Sequence, residues 1–263
     1  MQIKDRKVLL TGSTGGIGAA LARKLTAKGA RLILTDLEEE KLKKQEAELG
    51  AAVLGSFTSD LSASEGCDQV YEQTRSFADT LDVLVNNAGI TFIGPYTDVP
   101  REKHDILMQI NLLSPMRLAH LFLTDMRRAN SGHIVNISSM AGITGAGLMA
   151  SYSASKFGIR GFGEALNAEL GDTDINVTNV YPFFTKTPIL DSERHGNVTD
   201  QEIPDVLISD VEDVAGDIVG GIESNTLHVH PGIAAKGLDL MNRVSPELTN
   251  LLQSWMPTKK KEQ

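Results

Sequence analysis

Short apolar runs alternate with longer stretches of helical periodicity along most of this chain, and this alternation constrains the fold more than any other feature. Residues 8–10 and 83–85 are apolar at every position, which is typical of strands buried on both faces of a parallel sheet. The predicted strands are 7–10, 31–35, 52–57, 83–85, 133–137, 176–181 and 227–230. The predicted helices are 17–28, 38–49, 65–78, 101–128, 152–170 and 211–224.

This order, with short connections, predicts an α/β fold with an open, doubly wound sheet. No repeat and no Pro/Gly/Ser-rich linker divides the 263 residues, so we expect a single domain. Ligands of such sheets bind beyond the carboxyl ends of the strands. The polar residues that directly follow each predicted strand are therefore the candidate site residues.

Composition excludes several functional classes. A formal net charge of −9 disfavours a nucleic-acid partner, because the phosphate backbone would be repelled. A single cysteine, Cys67, excludes a disulfide framework and a Cys-based zinc cluster. His228 and His230 are predicted to face one side of the last strand, but no third ligand is evident, so we expect no metal site. Residues 1–7 lack the apolar core of a signal peptide, and no apolar run reaches 18 residues. We therefore expect a cytoplasmic protein without a membrane span.

A glycine-rich loop follows the first predicted strand and opens a helix. Its sequence, from residue 11, is Thr-Gly-Ser-Thr-Gly-Gly-Ile-Gly. Unpaired N–H groups at a helix N-terminus favour a phosphate, and Gly12, Gly16 and Gly18 would let the backbone approach it closely. The spacing is neither the G-x-G-x-x-G form nor a P-loop. The loop predicts a phosphate site, with a simple turn as the alternative.

Acidic and amide residues follow the next three strands. Asp36 ends the second run, where a carboxylate accepts hydrogen bonds from a ribose in dinucleotide sites; the alternative is an N-cap for the following helix. Asp60 follows the third run, and residues 86–89, Asn-Asn-Ala-Gly, follow the fourth. They predict contacts to an adenine edge and to neighbouring main chain, with ordinary turn chemistry as the alternative.

Ser138 and Ser139 follow the fifth strand, and Tyr152 and Lys156 stand four residues apart in the next helix. That spacing places the two side chains on one helix face, about 5–6 Å apart. A neighbouring ammonium is expected to lower the tyrosine pKa from about 10. The tyrosine could then exchange a proton with an alcohol or carbonyl oxygen that a serine hydroxyl also holds. The alternative is an amphipathic helix with an ordinary tyrosine and a surface lysine.

Together, these residues resemble the classical short-chain dehydrogenase/reductase family over residues 7 to about 230. Residues 11–18 resemble its TGxxxGIG loop, residues 86–89 its NNAG segment, and Tyr152 and Lys156 its YxxxK pair. The resemblance implies a Rossmann-type, seven-stranded parallel sheet flanked by helices and hydride transfer with a nicotinamide cofactor. It also implies a nucleotide-binding half over about 1–135, a catalytic and substrate half over about 136–256, and a tail over 257–263.

The resemblance implies roles for individual residues. Tyr152 would carry the proton, Ser139 would hold the substrate oxygen, and Lys156 would lower the Tyr152 pKa and bind the nicotinamide ribose. Asn111 would hold a water linking Lys156 to solvent, and Ser138 matches the catalytic serine less well than Ser139. The implied cofactor-binding residues are Gly12, Ser13, Thr14, Gly16, Ile17, Gly18, Asp36, Asp60, Leu61, Asn87, Ala88, Gly89, Tyr152, Lys156, Pro182 and Thr187.

One departure from the family pattern concerns the loop after the sixth strand. Phe183 stands where the family usually has a glycine after Pro182, and phenylalanine does not adopt positive φ cheaply. We therefore expect this loop to differ from the family loop, with Phe183 or Phe184 lining the pocket. Thr187 has the spacing of the family threonine that helps hold the cofactor carboxamide.

These features predict an NAD-dependent oxidoreductase that interconverts a secondary alcohol and a ketone. NAD is expected over NADP, because Asp36 would repel a 2′-phosphate while Ser13, Thr14 and Leu37 supply no cation. The predicted pocket segments are 140–149, which is nearly all apolar or glycine, and 183–204, which brings Phe183, Phe184, Ile189 and Leu190. They predict an apolar substrate. The alternative is a catalytically silent nicotinamide-binding regulator or scaffold, which need not retain Asn111, Ser139, Tyr152 and Lys156 together.

The C-terminal stretch carries an apolar stripe at helical spacing, and the resemblance implies a homodimer or homotetramer. The stripe is expected to pack on its own domain, with a cover over the pocket or a subunit contact as alternatives. Its residues are Leu238, Met241, Val244, Leu248, Leu251, Leu252 and Trp255, with Pro246 as a break or the first turn of a new helix.

Overall fold

The computed structural model of the chain describes residues 1–187, 189, 192–198 and 204–245. Within these residues, seven strands form one parallel sheet in the order β3-β2-β1-β4-β5-β6-β7. The strands are β1 (Lys7–Thr11), β2 (Arg31–Asp36), β3 (Val53–Thr58), β4 (Val83–Asn86), β5 (Gly132–Ile137), β6 (Ile175–Val180) and β7 (His228–Val229). The predicted doubly wound, Rossmann-type fold is confirmed.

Eight α-helices cover the two faces of this sheet in the described part of the chain. They are α1 (Gly16–Ala27), α2 (Glu39–Leu49), α3 (Ser64–Phe77), α4 (Arg101–Met108), α5 (Ser114–Ala129), α6 (Ala150–Glu169), α7 (Val211–Glu223) and α8 (Gly232–Val244). Every predicted strand and helix is present, with ends within about two residues, apart from one predicted helix that is divided. The last helix, α8, was not among the predicted helices.

Strand β1 illustrates why apolar runs form the centre of the sheet. Val8 and Leu10 pack in the cluster beneath α1 and α7, whereas Leu9 packs in the cluster beneath α3 and α5. All three side chains are completely buried, because successive residues of a strand face opposite sides and both sides are covered by helices. Burial of one such side chain contributes about 1.5–3 kcal/mol.

The predicted helix over 101–128 is divided by a π-helical turn, Gln109–Leu113. Such turns insert an extra residue into a helix and are frequent at functional sites, and this one carries Asn111. By length and composition alone, the helical stretch Arg101–Ala129 could cross a membrane. However, Leu118, Phe122 and Met126 pack in the core against the sheet, as expected for a core helix.

Only the first part of the predicted C-terminal stripe lies in the described chain. Leu238 packs on the domain itself, against a small cluster that contains Met140, Ile143 and Tyr181. Val244, at the end of α8, is exposed. Met241 is half-buried in the same helix. Leu248, Leu251, Leu252, Trp255 and Pro246 lie outside the described residues, as does the tail over 257–263.

Candidate active site

The direction of the strand order reverses beside β1, where β4 pairs with it, and ligands of such sheets bind in this crevice. The loop after β1 and the segment after β4 are joined there by hydrogen bonds. Asn87 Nδ2 donates to the carbonyl oxygens of Thr11 at 3.0 Å and Gly12 at 2.8 Å. The Ala88 amide donates to Thr11 Oγ1 at 3.1 Å. The Asn87 side chain therefore contacts neighbouring main chain, which is one of the two contacts predicted for this segment.

The glycine-rich loop is too crowded for side chains at two positions. Gly12 has φ +61°, and a β-carbon there would lie 2.8 Å from Ala88 Cα. A β-carbon at Gly18 would lie 2.2 Å from the carbonyl oxygen of Gly12. These contacts explain why the sequence requires glycine at both positions.

The N-terminus of α1 is suited to an anion. Its N-cap residue, Gly15, makes no capping side-chain bond, and the first turn carries no acidic residue, so the first N–H groups are left for a ligand. Thr187 contacts this turn, since a β-carbon at Gly16 would lie 2.4 Å from Thr187 Cγ2. Ile17, in the same turn, packs partly against the apolar core.

The Ser13 side chain does not face this anion site. Its side chain is completely buried, and its Oγ lies 2.8 Å from Gln45 Oε1 on α2. Gln45 Nε2 in turn donates to the Ser13 carbonyl at 2.6 Å. The buried Gln45 amide therefore takes up the Ser13 hydroxyl and carbonyl, and the predicted cofactor contact of Ser13 stays a prediction.

Asp36 is bonded to the glycine-rich loop. Its Oδ2 accepts from the Thr14 amide at 2.9 Å and from Thr14 Oγ1 at 2.8 Å, while Oδ1 accepts from the Leu37 amide at 2.7 Å. Helix α2 begins at Glu39 with Glu38 as its N-cap residue, so the alternative of Asp36 as that N-cap is wrong. A carboxylate has about four acceptor positions, which leaves capacity for a ribose hydroxyl.

Cations lie nearer to this corner than the sequence suggested. A groove of about 200 Å³ begins at Thr14 and is lined by Arg23 of α1 and by Lys41 and Lys44 of α2. The expectation that no cation is available beside Asp36 is corrected by this groove. The helical spacing of α2 brings the lysines back toward the loop. The sequence argument considered only residues next to the loop and to Asp36, so it did not find them.

Asp60 and Leu61 lie in the turn after β3. Asp60 is exposed, and its Oδ1 accepts from the Ser62 amide at 2.8 Å, leaving its second oxygen for a ligand. Leu61 is buried, and its carbonyl accepts from Ser114 Oγ at 2.8 Å.

The two serines after β5 point in different directions. Ser138 Oγ is buried and donates to the Lys156 carbonyl at 2.9 Å, so it fastens α6 to the sheet. Ser139 Oγ accepts from the Ala141 amide at 3.1 Å and donates to the Pro182 carbonyl at 3.5 Å. Burial raises the pKa of the Tyr152 phenol, and Ser139 lowers it by less. Of the two, the structure brings Ser139 to the tyrosine.

Tyr152 and Lys156 share one face of α6, as predicted, with Lys156 Nζ 5.5 Å from the centroid of the Tyr152 ring. Nζ donates to the carbonyl of Ile137 at 2.9 Å. Burial raises the pKa of Tyr152 and outweighs the lowering by Ser139, while burial lowers the pKa of Lys156 to about 8. The expected lowering of the Tyr152 pKa by the ammonium is therefore wrong for the chain alone, because desolvation disfavours both charged forms.

Asn111 holds the segment after β4 through both ends of its amide. Nδ2 donates to the Ile90 carbonyl, and Oδ1 accepts from the Ile90 amide, each at 2.9 Å. A β-carbon at Gly89 would lie 3.3 Å from Asn111 Oδ1 and 3.5 Å from Lys156 Nζ. Asn111 and Lys156 are therefore neighbours across Gly89, and the water expected between them stays a prediction.

The loop after β6 crosses the site without a glycine. Among the described residues, Phe183 is not one of those with positive φ, so its backbone avoids the conformation that is costly for phenylalanine. The difference from the family loop stays a prediction. The Phe183 ring packs beside the cluster of Met140, Ile143 and Tyr181. Leu190, in the second predicted pocket segment, lies outside the described residues.

A small cavity beside Tyr152 includes residues that the sequence did not single out. Leu148 and Met149 come from the predicted pocket segment 140–149, and three further residues begin α6. The remaining residues follow the Asn-Asn-Ala-Gly segment or lie on α4. The lining residues are Phe92, Gly94, Tyr96, Val99, His104, Leu107, Leu148, Met149, Ala150, Ser151 and Tyr152. The apolar character of residues after 89 was the one available signal.

Known proteins resemble the chain over most of its length. Residues 6–197 match the family described as short chain dehydrogenase. Nodulation protein G of a Rhizobium species is 32% identical over 89% of this chain and 98% of its own. The 3-oxoacyl-[acyl-carrier-protein] reductase FabG of Haemophilus influenzae is 33% identical over 88% and 99%. D-beta-hydroxybutyrate dehydrogenase of Cupriavidus necator is 29% identical over 77% and 79%.

Solved structures share the fold. A short chain dehydrogenase/reductase from Burkholderia phymatum in complex with NAD superposes with a TM-score of 0.82 at 21% identity, covering 100% of this chain and 99% of that one. A metagenomic short-chain oxidoreductase in complex with NADP gives 0.70 at 32% identity, covering 87% and 96%.

Proposed function

Because the chain belongs to the short-chain dehydrogenase family, we propose that it is an NAD(P)-dependent enzyme interconverting a secondary alcohol and a ketone. One observation carries the proposal: Tyr152 and Lys156 share one face of α6, with Nζ 5.5 Å from the centroid of the Tyr152 ring, and Ser139 lowers the pKa of the Tyr152 phenol against the larger effect of burial. Two hydroxyls that meet in this way can hold one substrate oxygen between them. The dehydrogenase and reductase among its relatives support the same chemistry.

A nicotinamide cofactor, when bound, accepts or supplies the hydride. The crowding at Gly12 and Gly18 and the uncapped N-terminus of α1 fit its pyrophosphate. Asp36 would accept from the adenosine ribose, and Lys156 would hold the nicotinamide ribose. Asp60 and the segment after β4 would contact the adenine side, and Thr187 with Pro182 the carboxamide side.

Tyr152 and Ser139 act on the substrate oxygen, the first by proton transfer and the second by a hydrogen bond. In the oxidation direction the alcohol proton passes to Tyr152 Oη, and in reduction Tyr152 returns it. Ser139 Oγ donates to the substrate oxygen. Because burial raises the Tyr152 pKa, the phenol is the resting form of the chain alone, and this form is the acid that ketone reduction needs.

NAD is the preferred cofactor in this proposal. The Asp36 carboxylate lies at the end of β2, where a 2′-phosphate would meet a like charge. The lysines of the neighbouring groove oppose this effect in part. The hydrogen bonds from Thr14 hold the carboxylate at the loop, which supports a stable position for it.

The test is a panel of secondary alcohols and ketones, assayed with NAD(H) and NADP(H) through the absorbance of the reduced nicotinamide. We expect turnover of an apolar substrate, with higher kcat/KM for NAD(H). Cofactor binding by calorimetry without turnover of any panel member would instead support the silent regulator or scaffold.

We also propose that the chain forms a homodimer or homotetramer through α6 and the neighbouring α4 and α5. The outward residues of α6 are small or apolar and carry no charge along four turns: Ala154, Phe157, Gly161, Ala165 and Ala168. Ile106, Leu113 and Met116 expose further apolar surface beside them. One uncharged patch can pair with its own copy about a two-fold axis. Phe157→Glu should then lower the mass measured by sedimentation.

The cytoplasmic location stays a prediction.

A further inference from the structure

Leu148 has an unusual backbone conformation for a leucine. Four non-glycine residues in the described part of the chain have positive φ: Asp5, Asn130, Leu148 and Asn225. Asp and Asn tolerate this region, because their short polar side chains bond locally. Leu148, at φ +63°, has no such compensation. Residues of this kind persist only where their surroundings over-determine the backbone, and they cluster at functional sites.

The surroundings of Leu148 join two other segments of the chain. Its carbonyl accepts from the Gly94 amide at 2.9 Å. The residue before Gly94, Ile93, donates from its amide to the Glu193 carbonyl at 3.1 Å and accepts from the His195 amide at 2.8 Å. Three segments are thereby linked by main-chain hydrogen bonds, and they fix where the Leu148 side chain lies.

The Leu148 side chain lines the cavity beside Tyr152, together with Phe92, Met149 and Leu107. The cavity has a volume of about 10 Å³, which is roughly the room that one water molecule needs. A methyl group has about the volume of one water, whereas an ethyl group needs more.

The polar groups of this cavity are already bonded to one another. His104 Nδ1 lies 2.8 Å from Ser151 Oγ, and His104 Nε2 lies 3.1 Å from the Tyr96 carbonyl. Since a carbonyl only accepts, Nε2 donates to the Tyr96 carbonyl, and Nδ1 pairs with the Ser151 hydroxyl. The cavity therefore offers a ligand mainly apolar surface.

We propose that Leu148 determines substrate specificity by limiting the smaller group beside the substrate carbonyl to about the size of a methyl. This inference rests on the proposed function, which places the carbonyl oxygen between Tyr152 and Ser139. One substituent of the carbonyl carbon then points into the cavity beside Tyr152. The left-handed backbone directs the leucine side chain against that substituent, so methyl ketones and the corresponding 2-alcohols are the preferred substrate class.

The test compares kcat/KM for 2-octanone, 3-octanone and 4-octanone, which have the same atoms but a methyl, ethyl or propyl group as the smaller substituent. We expect the wild type to favour 2-octanone over 3-octanone by about tenfold or more, the discrimination that one methylene commonly gives. Leu148→Ala should reduce this ratio at least about fivefold, mainly by improving the reaction of 3-octanone.

Leu148→Gly separates the size of the side chain from backbone strain. It should reduce the ratio as Leu148→Ala does, and its Tm should exceed that of Leu148→Ala because glycine adopts positive φ freely. Asn130→Gly is the matched control, since it changes a left-handed residue at the end of α5 and should leave the ratio unchanged. An unchanged ratio in both Leu148 variants would overturn this inference alone. Failure of the wild type to reduce any ketone would overturn the proposed function and this inference with it.

Discussion

The ammonium group of Lys156 lies 2.9 Å from the carbonyl oxygen of Ile137 and donates a hydrogen bond to it. Ile137 ends β5, so the end of a central strand fixes the amine at the start of the segment that carries Ser139. The same amine lies 5.5 Å from the centroid of the Tyr152 ring. The Lys156 side chain thus joins the end of β5 to the face of α6 that carries Tyr152. The sequence predicted both features but not this contact between them.

Replacing Lys156 with methionine should raise stability at neutral pH while lowering activity. Burial lowers the Lys156 pKa to about 8 from an ordinary 10.5, so the folded chain binds its proton less tightly than the unfolded chain does. Below pH 8 the buried ammonium lowers the free energy of unfolding by on the order of 3 kcal/mol. This destabilisation disappears as the pH rises from about 8 to 10.5. Urea unfolding of both proteins across this range measures the difference.

The exposed Lys236 provides the control for that experiment, since Lys236→Met should leave the pH dependence of unfolding unchanged. If Lys156→Met unfolds with the same pH dependence as the wild type, the buried ammonium is not the cause. The kcat of Lys156→Met should fall by about a hundredfold or more, because general acid–base groups and their partners commonly contribute on that scale.

Tyr152→Phe should abolish turnover while leaving cofactor affinity nearly intact. The substitution removes the hydroxyl that exchanges the proton but keeps the buried ring, and proton transfer commonly contributes about 10²–10⁴-fold. Turnover assays and titration calorimetry with the cofactor measure the two quantities. Tyr71→Phe is a suitable control, because Tyr71 bonds Asp125 on α5, away from the site. Retention of more than about a tenth of wild-type activity would show that Tyr152 does not carry the proton.

Ser139→Ala should shift the pH dependence of alcohol oxidation to higher pH. The Ser139 hydroxyl lowers the Tyr152 pKa against the larger raising effect of burial. Its removal therefore leaves the phenol harder to ionise, and the rising limb of kcat/KM moves upward in pH. Ser138→Ala should not move that limb, because Ser138 bonds the Lys156 carbonyl. A shift of the Ser139 variant to lower pH, or none, would contradict the proposed contact.

The sequence predicted the sheet and most element ends because buried parallel strands have a local signature. It could not predict contacts that depend on tertiary placement. Ser13 follows Gly12 in a phosphate-loop pattern, yet its hydroxyl contacts Gln45 on another helix. The left-handed backbone of Leu148 is set by a hydrogen bond from Gly94, 54 residues earlier in the chain. Local pattern thus specified which elements form, whereas side-chain direction depended on partners remote in sequence.

The last prediction concerns the choice between NAD and NADP, and Asp36 is the residue to change. Two like charges about 4 Å apart near a protein surface cost about 4 kcal/mol, and half of that gives roughly thirtyfold discrimination. We expect the wild type to favour NAD by a factor of this order. Asp36→Ser with Leu37→Arg should narrow or reverse the preference, as measured by the ratio of kcat/KM for the two cofactors.

The bonds from Thr14 to Asp36 call for a variant that separates charge from loop structure. Asp36→Asn keeps a carbonyl oxygen for Thr14 but removes the negative charge, so it should improve kcat/KM for NADP with little loss for NAD. Lys41→Ala in the same background should then reduce the NADP reaction, since Lys41 lines the neighbouring groove. If the wild type prefers NADP, or if neither Asp36 variant alters the ratio, Asp36 serves only to hold the glycine-rich loop. In that case the lysines of α2, rather than the carboxylate, would govern the cofactor's phosphate.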